Sequence, residues 1–133
     1  MIELCEQVWQ LVSPVLTHDS PEGNFRTYHF PNGPLITQSE LRDEFAQELL
    51  SSCWRSVKEA SALLGKFLSL SSATVEDCQS GGMLFLEWLS RIRHRGAFSA
   101  VMPAFEGLCA QCFHDEEKNL KCLPSIWINV LII

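Results

Sequence analysis

The stretch from Ser39 to about Leu68 contains no proline, and its only glycine is Gly65. Apolar residues recur through it at three- and four-residue spacings, which indicates one long α-helix. Thr37 and Glu40 have the spacing of a capping box at its start. The apolar residues lie on more than one face of this helix, so that it needs neighbouring helices to cover it.

Helical spacing of apolar residues predicts four further helices. The first spans about residues 2–16, where Pro14 is expected to end or bend it. A loop rich in proline and glycine follows over residues 17–38, and Pro31 interrupts the partial strand-like alternation there. The later helices are expected to begin after the cap residue Thr74, near Gly96 and at Pro124. Pro103 is expected in or near the first turn of the helix that begins near Gly96, where a missing amide proton costs least.

These helices predict an all-α fold. Their apolar faces exceed what one helix pair can bury, which favours a stacked array of the armadillo or HEAT type, an α-solenoid. We expect residues 1–38 to form an unassigned N-terminal helix and loop, and residues 39–133 to be part of a helical-repeat domain. Residues 125–133 are strongly apolar to the last position, and the side chains from Trp127 to Ile132 are expected to lack cover. The chain is therefore expected to be truncated at its C-terminus, as a fragment, a truncated gene model or a shortened paralogue.

The charge balance limits the classes of function. The net charge of −6 argues against a domain that binds nucleic acid through bulk positive charge, so any RNA contact must be local. The sequence shows no signal peptide and no apolar run long enough for a membrane span, which predicts a cytoplasmic protein without membrane association. The six cysteines are expected to be reduced, and most to be small core residues.

One group of residues resembles a metal site. Cys109 and Cys112, followed by His114 and Cys122, have a spacing that zinc sites use. The competing interpretation is structural, because the first two cysteines continue the apolar spacing of their helix. No glycine-rich phosphate loop or nucleophile elbow is present, and we expect no catalytic residue, no metal and no cofactor.

Basic residues concentrate at one helix junction, in the segment from Arg91 to Gly96. Such a junction can bind phosphate, or its arginines can stabilise the carboxyl end of a helix and pair with nearby carboxylates. Arg55 and Lys58 lie on the polar face of the long helix, and from spacing alone that face is typical of a solvated helix surface.

Residues 53–60, Cys-Trp-Arg-Ser-Val-Lys-Glu-Ala, and residues 93–98, Arg-His-Arg-Gly-Ala-Phe, resemble the central domain of the thyroid adenoma-associated protein family. The Thr-Val-Glu pattern at residues 74–76 is also similar. We call the first stretch the tryptophan motif and the second the arginine motif. The family's Arg-Arg-Ser-Ala-Gly stretch is missing from the sequence, so this chain alone is expected to be inactive.

The resemblance implies a large armadillo-like helical protein of the cytosol, which is the non-catalytic partner of a tRNA 2′-O-ribose methyltransferase. The catalytic partner transfers the methyl group within the anticodon loop, and the helical protein presents the tRNA. The candidate residues for contact with RNA or with the partner are Arg55, Lys58, Arg91, Arg93, His94 and Arg95. The alternative is a general protein-interaction α-solenoid without an RNA role, and a third hypothesis is an enzyme that uses the cysteine cluster.

Overall fold

The computed structural model describes residues 1–18 and 38–132, and the side chains of residues 1–18 and 44–131. Its five helices are α1 (Ile2–Leu16), α2 (Gln38–Leu68), α3 (Val75–Arg91), α4 (Arg95–His114) and α5 (Leu123–Ile132). A short 3-10 turn, Leu120–Cys122, precedes α5. Within these two ranges there is no strand, and the all-α prediction is confirmed. The predicted loop after His18 and the Thr37–Glu40 cap lie outside the described side chains.

The start of α3 follows the local sequence signal. The Thr74 hydroxyl accepts a hydrogen bond from the Asp77 N–H at 3.1 Å, and the Asp77 carboxylate accepts one from the Thr74 N–H at 3.0 Å. This reciprocal pair is a capping box, and it satisfies two backbone donors that the first turn leaves without partners. The predicted start at Thr74 is confirmed.

Among the described helices, α1 and α4 each contain a proline beyond the first turn, Pro14 and Pro103. α1 continues past Pro14 to Leu16, and the Thr17 N–H donates to the Ser13 carbonyl at 3.0 Å. The prediction that Pro103 lies in the first turn of α4 is wrong, because the helix begins at Arg95, about two turns earlier. Pro103 is exposed, so water can satisfy the carbonyl that its missing N–H leaves unpaired.

Helices α2 and α4 run parallel to each other. The start of α4 at Gly96 lies beside Trp54, and further along both helices the Gln111 side-chain amide donates to the Leu68 carbonyl at 2.9 Å. The contacts between α2 and α4 therefore advance in the same direction along both helices. Parallel packing of alternate helices is the geometry of stacked helical hairpins, and the armadillo or HEAT assignment stays a prediction.

Aromatic residues join α1 to α3 in the core. The rings of Trp9 and Trp88 stack with centroids 5.8 Å apart, and Phe85 meets Trp88 edge-on at 5.8 Å. At the end of α1 the Leu16 carbonyl accepts a hydrogen bond from the Arg93 N–H at 2.8 Å. This bond holds the segment between α3 and α4 against α1.

Helix α5 corrects one expectation about the apolar C-terminal residues. Trp127 was expected to lack cover, yet it is only 1% exposed, packed over Gly82 and 5.7 Å from the Phe105 ring. Leu131 is 59% exposed, and Ile128 is also exposed. The difference arises because the missing side chain of Gly82 on α3 leaves room for the indole. No helix in the described ranges has the length and apolar character needed to cross a membrane.

Candidate functional site

The tryptophan motif and the arginine motif meet in the structure. A Cβ atom at Gly96 would lie 3.0 Å from Trp54 Nε1 and 2.9 Å from His94 Cε1, which is closer than ordinary van der Waals contact. Gly96 therefore allows the first turn of α4 to approach the indole. Two stretches about forty residues apart in sequence form one surface because α2 and α4 are parallel.

His94 determines where α4 begins. Its Nδ1 accepts a hydrogen bond from the Ala97 N–H at 3.0 Å, and its carbonyl accepts one from the Phe98 N–H at 3.0 Å. Because Nδ1 is an acceptor, a neutral imidazole carries its proton on Nε2. His94 acts as the N-cap of α4, a role that serine, threonine and aspartate usually have.

The two basic residues of the tryptophan motif have different neighbours, because Lys58 lies at the junction and Arg55 lies beside Glu44 and Glu48 on α2. The Lys58 ammonium is 5.6 Å from the centroid of the Trp54 ring, a cation–π distance. The Nε–H of Arg55 donates to the Ser51 carbonyl at 3.3 Å, which occupies one of its five N–H groups. Both cations are exposed, so they can meet an anionic partner.

Arg91 has a different environment from the other arginines. Its guanidinium contacts Glu87 at 3.1 Å, and its Cζ lies 5.5 Å from the centroid of the Trp9 ring. Its side chain is 50% exposed. These contacts agree with the structural interpretation of the cluster, in which an arginine at the end of a helix pairs with a carboxylate and covers an aromatic ring.

Arg93 and Arg95 are exposed at the start of α4. The backbone of Arg93 is held by the carbonyl of Leu16, so the segment that carries both arginines is anchored on α1. Gly96 places the same segment against Trp54. The structure thus gathers the arginine motif, Trp54 and Lys58 at one junction, and it places Arg91 on the packing between α1 and α3.

A groove between α2 and α4 was not predicted from the sequence. Its volume is about 440 Å³, and its residues are Lys58, Ser61, Ala62, Gly65, Lys66, Ser69, Ala100, Pro103, Ala104, Gly107, Leu108 and Gln111. The usable signal was the run of small residues at helical spacing on both helices. These small residues indicate a groove only when α2 and α4 are known to be neighbours. Whether they are neighbours depends on contacts between residues that are distant in the sequence.

The cysteine cluster is part of a regular helix. Cys109 and Cys112 lie within α4 as predicted, and Cys112 is fully buried. Burial raises the pKa of both thiols, which is opposite to the lowered pKa of a catalytic thiol or a zinc ligand. Within the described ranges no three histidines, cysteines or carboxylates are placed to hold a metal ion. Cys122 is exposed and so is not a core residue.

We expect the free energy of unfolding to fall as the pH rises above about 9. Burial, and then the neighbouring Cys78 and Cys109, raise the pKa of Cys112 from 9.0 to about 12. A raised pKa in the folded state stabilises the protein fully below the unfolded value, and this contribution is lost between about pH 9 and pH 12. Urea unfolding at a series of pH values measures it. Cys112→Ala should show a shallower decline than the unchanged chain, and equal declines would contradict the assignment.

Comparison with known proteins gives a consistent result over nearly the whole chain. The sequence model of the THADA/TRM732 family, DUF2428, matches residues 1–132. The tRNA (32-2′-O)-methyltransferase regulator trm732 of Schizosaccharomyces pombe is 36% identical over 97% of this chain. The regulator THADA of Drosophila melanogaster is 27% identical over 97%, and THADA of Homo sapiens is 33% identical over 65%.

The relatives are much longer proteins. The chain spans 9% of the length of the Schizosaccharomyces pombe and Drosophila melanogaster proteins and 5% of the human one. No solved structure matches the chain. The matches extend on both sides of the two motifs.

Proposed function

The chain belongs to the THADA/TRM732 family, and on this premise we propose that it is part of a non-catalytic regulator of a tRNA 2′-O-ribose methyltransferase. The catalytic subunit transfers the methyl group from S-adenosylmethionine, and the helical chain presents tRNA to it in the cytoplasm. The relatives are named as regulators of a tRNA (32-2′-O)-methyltransferase, which supports a regulatory rather than a catalytic role.

The observation that supports an RNA contact is the meeting of the two motifs at Trp54 and Gly96. In a chain of net charge −6, the junction concentrates exposed cations beside an aromatic ring. Arg93 and Arg95 would contact phosphates, and the affinity they add would weaken as salt rises. The proposed contact residues are Lys58, Arg93, His94 and Arg95 at this junction and Arg55 elsewhere on α2, with Arg91 holding the junction against α1.

A second candidate function is a protein-interaction α-solenoid without an RNA role. Exposed apolar side chains on the terminal helices favour it, because apolar surface of this kind commonly marks a protein interface. Leu4 and Leu11 are exposed on α1, and Ile128 and Leu131 are exposed on α5. A regulator that binds its methyltransferase through such faces would need no contact with tRNA.

Removing the gene for this chain tests the proposed function. We expect 2′-O-methylation of tRNA nucleotide 32 to be lost, because the relatives regulate the methyltransferase for that position. Mass spectrometry of nuclease-digested tRNA measures the modified nucleoside, and restoring the unchanged gene is the control. Normal methylation in cells without the gene would contradict the proposal and favour the second candidate function.

A further inference from the structure

We infer that the groove between α2 and α4 binds the ribose–phosphate backbone of a single RNA strand. The inference rests on the proposed function, and it extends the junction surface along α2 from Lys58 to Ser69. Lys58 belongs both to the junction, where it lies over the Trp54 ring, and to the groove. One continuous surface therefore runs from the arginine motif into the groove.

The charges of the groove favour an anionic ligand. Its residues include two lysines, Lys58 and Lys66, and no carboxylate, although acidic residues outnumber basic ones in the chain by 16 to 10. The two lysines are separated by about 12 Å along the axis of α2. Lysine ammonium groups bind phosphates as point charges, so this spacing suits two phosphates that are separated by one further phosphate along a strand.

The uncharged polar groups favour a ligand that also supplies hydrogen-bond donors. The Ser69 hydroxyl donates to the Lys66 carbonyl at 2.7 Å, and the Gln111 amide nitrogen donates to the Leu68 carbonyl at 2.9 Å. A hydroxyl has one proton, so Ser69 Oγ is left to accept, and Gln111 Oε1 is an acceptor in any orientation. Each nucleotide of RNA offers one phosphate and one 2′-hydroxyl donor, which matches this combination of ammonium groups and acceptors.

Gly107 supports an open groove. It is exposed within α4, and a Cβ atom added there would meet nothing within 4 Å. A glycine inside a helix lowers stability relative to alanine, and the packing of this protein does not require it, in contrast to Gly82 and Gly96. Its absent side chain leaves space above Ala104, which lies 3.5 Å from the Cβ position of Gly65 at the bottom of the groove.

Binding of a synthetic anticodon stem-loop RNA to the 133-residue chain tests the inference, with the dissociation constant measured by fluorescence anisotropy over a range of salt concentrations. We expect Lys66→Gln to weaken binding several-fold and to lower the slope of log affinity against log salt by about 0.7, the value for one contact to a single strand. Lys121→Gln is the matched control, since Lys121 is exposed and lies outside the groove. It should change neither quantity.

A second variant tests occupancy without changing charge. Gly107→Trp should fill the groove and weaken RNA binding by at least about tenfold, whereas Gly107→Ala should bind nearly as well as the unchanged chain. Helical circular dichroism confirms that both variants fold. DNA of the same sequence should bind the unchanged chain more weakly, because it lacks the 2′-hydroxyl.

The outcomes separate this inference from the proposed function. Unchanged affinity and salt slope in Lys66→Gln and Gly107→Trp would overturn the groove as an RNA site, while loss of methylation on gene removal would still support the regulator. Normal RNA binding with weakened binding of the purified methyltransferase would also overturn it, because the groove would then dock a protein. Equal affinity for DNA and RNA would contradict the role of Ser69 and Gln111.

Discussion

Replacing Gly82 with alanine is expected to lower the free energy of unfolding by about 2–3 kcal/mol, the cost of forcing extra volume into a packed core. A Cβ atom at Gly82 would lie 2.1 Å from Cζ2 and 2.4 Å from Cε2 of Trp127. The indole is rigid and buried, so it cannot yield as the end of a flexible side chain would. Either Trp127 leaves its place or α5 separates from α3.

The same substitution at Gly107 is the matched control, and we expect it to act in the opposite direction. Both glycines lie inside helices, so alanine gains the same helix propensity, about 0.5–1 kcal/mol, at each position. Only Gly82 has an aromatic ring against it, whereas the Cβ position at Gly107 is open. Gly107→Ala is therefore expected to raise stability by about 0.5–1 kcal/mol.

Urea unfolding of both variants, followed by circular dichroism, measures the two changes. Thiol accessibility and near-ultraviolet circular dichroism show whether Gly82→Ala has displaced Trp127 while the rest of the core remains. If both substitutions stabilise the protein to the same extent, the close packing of Trp127 on α3 is wrong.

The double substitution Arg93→Glu and Arg95→Glu is expected to have the largest effect on RNA binding. Both arginines are exposed at the start of α4, next to the surface where the two motifs meet. Hydrogen bonds to charged groups contribute about 1.5–3 kcal/mol each, so losing two phosphate contacts should weaken binding by at least about a hundredfold. The slope of log affinity against log salt should fall by about 1.4, the value for two contacts to a single strand.

Arg93→Lys with Arg95→Lys is the control for charge, because it keeps two cations at the same positions. This variant should retain most of the salt-dependent affinity, and a lower affinity would indicate bidentate contacts that lysine cannot make. Lys121→Glu controls for the change in net charge at a distant site. The variants are compared by anticodon stem-loop binding and, in cells, by methylation of tRNA nucleotide 32. Unchanged binding and methylation in the folded glutamate variant would contradict the RNA contact.

Local sequence signals predicted much of the secondary structure. The long helix from residue 39 to residue 68 was predicted because the stretch has no proline and a single glycine. The cap at Thr74 was predicted because its hydrogen-bonding partner is only three residues away. The all-α fold followed from the same signals. The start of α4 was predicted near Gly96 and lies at Arg95, but Pro103 was wrongly expected in its first turn, and the cap by His94 was not predicted because histidine is an uncommon N-cap residue.

The candidate site was predictable only in part. The two motifs carried the resemblance to the family, and their residues could be named from the sequence. Their contact depends on Gly96 fitting against Trp54, and the separate environment of Arg91 depends on Trp9, which lies far away in the sequence. The same holds for Trp127, whose burial depends on Gly82.

The sequence by itself determined the helices, most of their ends and the family, because these depend on neighbouring residues and on short motifs. Only the tertiary structure decided which helix faces meet, that α2 and α4 are parallel, and that small residues on both enclose a groove between Lys58 and Gln111. The physical reason is that the periodicity of a helix shows which residues share a face but not which partner covers that face. That choice depends on close packing of side chains from distant parts of the chain.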